Sequence, residues 1–285
     1  MFCRGTIARA AGPAVLALAL AHGPAPADTR LGDVELLYGF SLAGVPIAEI
    51  QITMTLGESS YEVSGNGRTV GLVDLFSRIR FSGSSKGTIE DGAVRPKTHT
   101  YRYAERSKAR EVTLTYDDRQ VPSVTASPEF SPSFDRVPLP DARLIGTIDL
   151  ASQFIAPAVA GKAALAPDHC VRAYAVFDGR LRVDAALSYL RASPSARLRG
   201  VNYSGPVMHC AMRIRPVGGH REGDMLSKIA AGGEIGVWAA PAFGGRFYIP
   251  IKIAVPTPVG TVEVAVRRMR VVPADRQAGL GDQRG

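Results

Sequence analysis

The chain has 285 residues, a formal net charge of +8, 46% hydrophobic residues, only 7% aromatics and three cysteines. This length and mixture fit a globular chain and exclude collagen-like and low-complexity classes. The positive charge is dispersed among Asp and Glu without a recognition motif, which argues against specific nucleic-acid binding.

Residues 1–27 read as a secretory signal peptide. Arg4 and Arg9 form a positive start, Ala10 to Ala21 an apolar stretch, and Ala25-Pro26-Ala27 a small-residue cleavage site before Asp28. The apolar stretch is shorter than the roughly 20 residues that span a bilayer. Cys3 precedes it and leaves with the leader. No later segment is apolar for long enough to span, so the expected mature chain is periplasmic and not membrane-spanning.

Residues 28–271 then read as a single β domain. Gly65-Asn66-Gly67 has the wrong spacing for a dinucleotide fingerprint and reads as a turn before a short helix over Thr69–Ser77. Asp91-Gly92 sits between two alternating runs and signals a hairpin, because the tight turn needs positive φ. Thr98–Tyr103 and Glu111–Tyr116 alternate apolar and polar residues, the pattern of a strand with one wet face. Residues 120–140 hold five prolines and read as an extended loop. Leu144–Ala158 places Leu144, Ile145, Ile148, Leu150 and Phe154 near helical spacing, with Asp141 as a cap and Pro157 as a stop.

Asp178-Gly179 marks a second hairpin, and Arg180–Asp184, Met212–Arg215 and Thr261–Val264 alternate again. Residues 272–285 are polar and Gly-rich and read as a disordered tail. About a dozen strands are too many for one flat sheet. The fold expected is mainly β: an antiparallel curled sheet forming an open barrel or β-spiral, with one or two short helices.

Without Cys3, Cys170 and Cys210 remain. An even count in an oxidising compartment points to a disulfide. Each follows a histidine, so a Cys2His2 metal site is the competing reading, disfavoured because adjacent strand residues point to opposite faces. No metal, cofactor or catalytic residue is assigned. The chain lacks Gly-x-Ser-x-Gly, Ser-x-x-Lys, His-Glu-x-x-His and phosphate-loop motifs. Asp117-Asp118 reads as a solvated turn, and His99 as an exposed strand residue.

Gly87, Asp91-Gly92, Arg95-Pro96, Tyr101 and Tyr103 are followed by Asp149-Leu150-Ala151-Ser152, Cys170, Val176-Phe177-Asp178-Gly179-Arg180 and Cys210. Together these resemble an exported proteobacterial family known as domain of unknown function 3108, over most of residues 33–271. The resemblance implies an antiparallel sheet curling into an open barrel or spiral. It also implies a Cys170–Cys210 bond, and a distant similarity to periplasmic lipoprotein carriers and β-spiral envelope-integrity proteins. It brings no catalytic residues.

The expected function is a non-catalytic periplasmic protein of the cell envelope that binds an apolar or lipid ligand, or an envelope partner. A curled sheet makes a trough, and Phe76, Ile79, Phe81, Tyr101 and Tyr103 are the candidate lining, with the two helices as plugs. The alternatives are a structural scaffold for envelope proteins and a cell-wall or glycan hydrolase.

Overall fold

A computed structural model describes residues 28–131 and 134–275. The expected signal peptide lies outside them, as do residues 276–285 of the expected tail. Thirteen antiparallel strands form one sheet: β1 (Arg30–Leu42), β2 (Val45–Gly57), β3 (Ser60–Thr69), β4 (Ile79–Glu90), β5 (Ala93–Glu105), β6 (Lys108–Tyr116), β7 (Pro122–Ser127), β8 (Arg172–Phe177), β9 (Arg182–Arg197), β10 (Ser204–Gly218), β11 (Ile235–Ala242), β12 (Phe247–Thr257) and β13 (Gly260–Pro273). Two short helices join them, α1 (Gly71–Phe76) and α2 (Met225–Ala231).

The spatial order is β7-β6-β5-β4-β3-β2-β1-β13-β12-β11-β10-β9-β8. Two meanders run outward from the central pair β1 and β13, and the sheet curls without closing. The hairpin at Asp91-Gly92 forms as expected, with both residues at positive φ (51° and 73°). Alternation puts Val34, Leu36 and Tyr38 of β1 beside Ile52, Met54 and Leu56 of β2 and Ile249 and Ile251 of β12 in the main core. These side chains lie on one face because strand residues alternate sides.

Residues 141–170 leave the sheet and cross its inner side. Here the structure departs from the expected helix. Leu144–Ala158 contains no α-helix, only a 3-10 turn at Ser152–Phe154, with another before it at Asp141–Arg143. Gly146 sits at φ 71°, and the Asp149 carboxylate takes the N–H groups of Ala151 and Ser152. Such side-chain-to-backbone bonds compete with helical pairing. Ile148 instead bridges to Val176 of β8 in strand fashion. The segment nevertheless fills the interior: Leu144, Ile148 and Ile155 are buried, Ile155 completely.

Three other boundaries move. The proline-rich loop of residues 120–140 contains β7, whose Pro122 pairs with Tyr116. Proline is tolerated there because β7 is an edge strand and one side of it needs no ladder bonds. Gly65-Asn66-Gly67 is interior to β3, not a turn. β13 continues through Val272 and Pro273, which pair with Asp33 and Gly32, so those two tail residues belong to the sheet.

The β8–β9 loop closes the curl by packing. Gly179, at φ 97°, comes so near β6 that a Cβ there would stand 2.8 Å from a Val112 methyl. Tyr101 of β5 donates its hydroxyl to the Asp178 carbonyl at 3.0 Å. Phe177 joins Val112, Leu114 and Tyr116 in a second cluster. One edge of the sheet thereby rests on the other half without pairing to it.

Candidate ligand trough and buried polar cluster

A row of facing residues crosses five strands: Ile52, Gly65, Gly83, Tyr101 and Val112. Gly65 and Gly83 are direct partners. Neither fills the space in front of it, so a hollow of about 180 Å³ opens under the sheet. Its walls are mostly apolar, including Tyr38, Ile50, Val63, Phe81 and Phe154.

Gln153, Phe154 and Val264 also form part of the wall of a second hollow, of about 300 Å³, on the side of β9–β12. Met208, Val237, Tyr248 and the disulfide residue Cys210 line it. Towards β6, Phe81 and Leu150 are shared with a groove of about 720 Å³ that carries Tyr101, Tyr103, Lys108, Arg110 and Phe130. Groove and hollows thus adjoin one another along the inner side of the sheet. Ligand pockets run from about 300 to 1,000 Å³ and are predominantly apolar.

Of the five residues expected in the trough, Phe81, Tyr101 and Tyr103 come together. Phe81 pairs directly with Tyr103, and its ring lies 6.2 Å from that of Tyr101. Phe76 and Ile79 do not join them. Phe76 sits on α1, 75% exposed, and Ile79 is half-buried at the start of β4. α1 therefore does not plug the trough; the irregular segment around Asp149–Ile155 does.

That segment carries what the sequence reasoning missed. His99, expected to be exposed, is 1% exposed, and Asp149 is fully buried. His99 Nδ1 lies 2.9 Å from the Ser84 carbonyl and 3.3 Å from Asp149 Oδ1. Carbonyl and carboxylate can only accept, so Nδ1 carries a proton. Ser85 and Ser152 donate to Asp149 Oδ2 at 2.8 and 2.6 Å. Tyr61 Oη lies 2.6 Å from Ser152 Oγ. Burial pushes the Tyr61 hydroxyl well above its ordinary pKa, helped by the Asp149 charge. Among the described residues, no group bonds to His99 Nε2 or to the Tyr116 hydroxyl.

A signal existed for this cluster. Ser85 and His99 are polar residues on the inward phase of their strands, two residues from Gly83 and Tyr101 of the inner row. The alternating pattern alone did not say which face was wet.

Cys170 and Cys210 are joined as a disulfide, with Cα atoms 5.7 Å apart. Their neighbouring histidines are occupied elsewhere. His169 stacks on Tyr248 at 4.5 Å, and its ring nitrogens face Val159 N–H and the Ala163 carbonyl. His209 stacks on Trp238 at 4.1 Å. Among the described residues, no group of three or more His, Cys, Asp or Glu is arranged to hold a metal ion. No helix among the described residues is long and apolar enough to cross a membrane.

These features define a mainly β protein whose one curled, unclosed sheet wraps a crossing segment and a run of apolar hollows. The chain belongs to the family described as Protein of unknown function (DUF3108), whose model matches residues 35–267. It is similar in structure to a beta-barrel-like protein of domain of unknown function DUF1849 from Brucella abortus. The TM-score is 0.46 and the identity 9%, over 86% of this chain and 99% of that one. No curated protein matches the chain.

Proposed function

We propose that this protein works outside the cytoplasm, after loss of residues 1–27, as a non-catalytic periplasmic binder of an apolar or lipid ligand. The observation that carries this reading is the pair of adjoining apolar hollows that share Phe154, the smaller of them opened by the facing glycines Gly65 and Gly83. A curled sheet that wanted only a core would fill that row with side chains, as interiors pack to crystal density. The disulfide fits an oxidising compartment.

The buried polar residues support a structural use over a catalytic one. A hydrolytic triad orders its groups serine, histidine, carboxylate. Here both serine hydroxyls are spent on Asp149 itself, and neither bonds to His99 Nε2.

The test is native mass spectrometry of protein extracted from the envelope, followed by titration of delipidated protein with a fluorescent acyl probe. Bound lipid and saturable probe binding are expected. Clean ligand-free protein with no saturable probe binding overturns the reading.

A further inference from the structure

Helix α1 is built the wrong way round for a helix lying on a sheet. Leu72, Leu75 and Phe76 stand at i, i+3 and i+4, so they form one stripe. That stripe faces solvent: the three are 67%, 68% and 75% exposed, and no residue of the helix is buried. The polar residue Asp74 faces the protein instead, accepting from Thr69 Oγ1 at 2.7 Å and pairing with Arg80 at 2.9 Å. A surface helix ordinarily turns its apolar stripe inward.

Other apolar tips share this end of the sheet. Val45 begins β2 at 54% exposure, and Val259 caps the β12–β13 hairpin at 64%. Strand register fixes their common end: Leu42 pairs with both Val45 and Val262, and the Val70 amide beside α1 bonds to the Ile47 carbonyl. The helix is tied in place, since Arg106 of the neighbouring β5–β6 hairpin donates to the Phe76 carbonyl at 2.6 Å.

The charge around this tip has one sign in excess. Arg68, Arg78, Arg80, Arg106 and Lys108 surround α1, against Glu49, Asp74 and Glu105. Glu49 and Asp74 are held by Arg68 and Arg80. Glu105 accepts from Ser77 and Tyr103. Arg78, Arg106 and Lys108 form no ion pair within 4.0 Å among the described residues, although their charges act on Asp74 and Glu105, and the five cations still outnumber the three carboxylates.

From these observations we infer that the α1 tip is a docking surface for a lipid bilayer bearing anionic headgroups, with Leu72, Leu75 and Phe76 entering the interface and the basic collar meeting the phosphates. Apolar residues set in a cationic surround are what an interfacial anchor needs, because insertion depends on apolar area and on attraction to anionic lipid together. A protein partner would need an acidic rim built around an apolar groove of matching shape, whereas an anionic bilayer offers apolar interior and negative charge over its whole surface. The inference is independent of the trough, which a soluble ligand carrier would possess equally.

The experiment is co-sedimentation of the full chain with vesicles of phosphatidylethanolamine and phosphatidylglycerol, compared with vesicles of phosphatidylcholine alone. Binding to the anionic vesicles is expected, weakened at high salt by screening. Two variants, Leu75→Asp and Phe76→Ser, each bind at least about tenfold more weakly, since each removes most of one apolar side chain that insertion would bury. Both side chains are exposed, so thermal unfolding stays unchanged and verifies folding. Equal binding to both vesicle types, variants that bind like the parent, or no vesicle binding together with a crosslink from position 76 to an envelope protein each overturn the inference. So does the absence of binding to any vesicle.

Discussion

Ser85 on β4 and Asp149 on the crossing segment, 64 residues apart in sequence, meet at 2.8 Å, both almost wholly removed from solvent. This bond fastens the crossing segment to the sheet. Asp149 also holds Ser152 and two backbone N–H groups, so one carboxylate organises the turn and its docking.

Asp149→Ala should therefore be severe. It takes the shared acceptor from Ser85, Ser152 and two backbone N–H groups, leaving the two hydroxyls only each other and Tyr61 to bond, and each buried donor left unpaired costs about 1–3 kcal/mol. Asp149→Asn keeps an acceptor and should cost clearly less. Urea unfolding midpoints of the two variants check both the size and the order.

The crossing segment is core, not a covering loop. Ile155 is fully buried in the main cluster, and Ile155→Ala should cost about 2–5 kcal/mol. Ile145, ten residues earlier and 60% exposed, is the control: Ile145→Ala should stay within about 0.5 kcal/mol.

The disulfide closes a separation of 40 residues. Replacing both cysteines by alanine should cost about 4 kcal/mol by loss of the cross-link's restriction on the unfolded chain. Denaturation with and without reductant should show the same loss in the parent protein, and mass spectrometry of the unreduced chain should find no free thiol at Cys170 or Cys210.

Alkaline pH should loosen the curl at Tyr101. Burial, and then the nearby Asp178 charge, push its hydroxyl from 10.0 up to about 12. A group whose pKa is raised by folding contributes stability that is complete below the unfolded value and disappears as pH rises through the folded one. The loss therefore falls between pH 10 and about 12. Tyr38, Tyr61 and Tyr116 are shifted in the same direction by burial. Tyr101→Phe loses the bond to the Asp178 carbonyl at neutral pH, but its stability should fall less steeply over that alkaline window than the parent's. Parallel pH profiles of unfolding would contradict this.

Local sequence determined the strands, their hairpins and the two cysteines that bond to each other. Alternation at Thr98–Tyr103 and Glu111–Tyr116 and positive-φ turn chemistry at Asp91-Gly92 act between near neighbours, so they are written in short stretches of chain. The same local rules failed at Leu144–Ala158, where apolar spacing suggested a helix. There a distant sheet offered Val176 for pairing and Ser85 for Asp149, and tertiary bonds outweighed a weak propensity.

Only the tertiary structure decided which polar residues would be buried and which apolar ones exposed. His99 and Phe76 exchanged their expected places. Alternation fixes that neighbouring strand residues point to opposite sides, but the curl of the whole sheet fixes which side is inside. Likewise, the Gly65–Gly83 hollow exists because register brings two glycines from different strands face to face, a relation between strands that neither one contains.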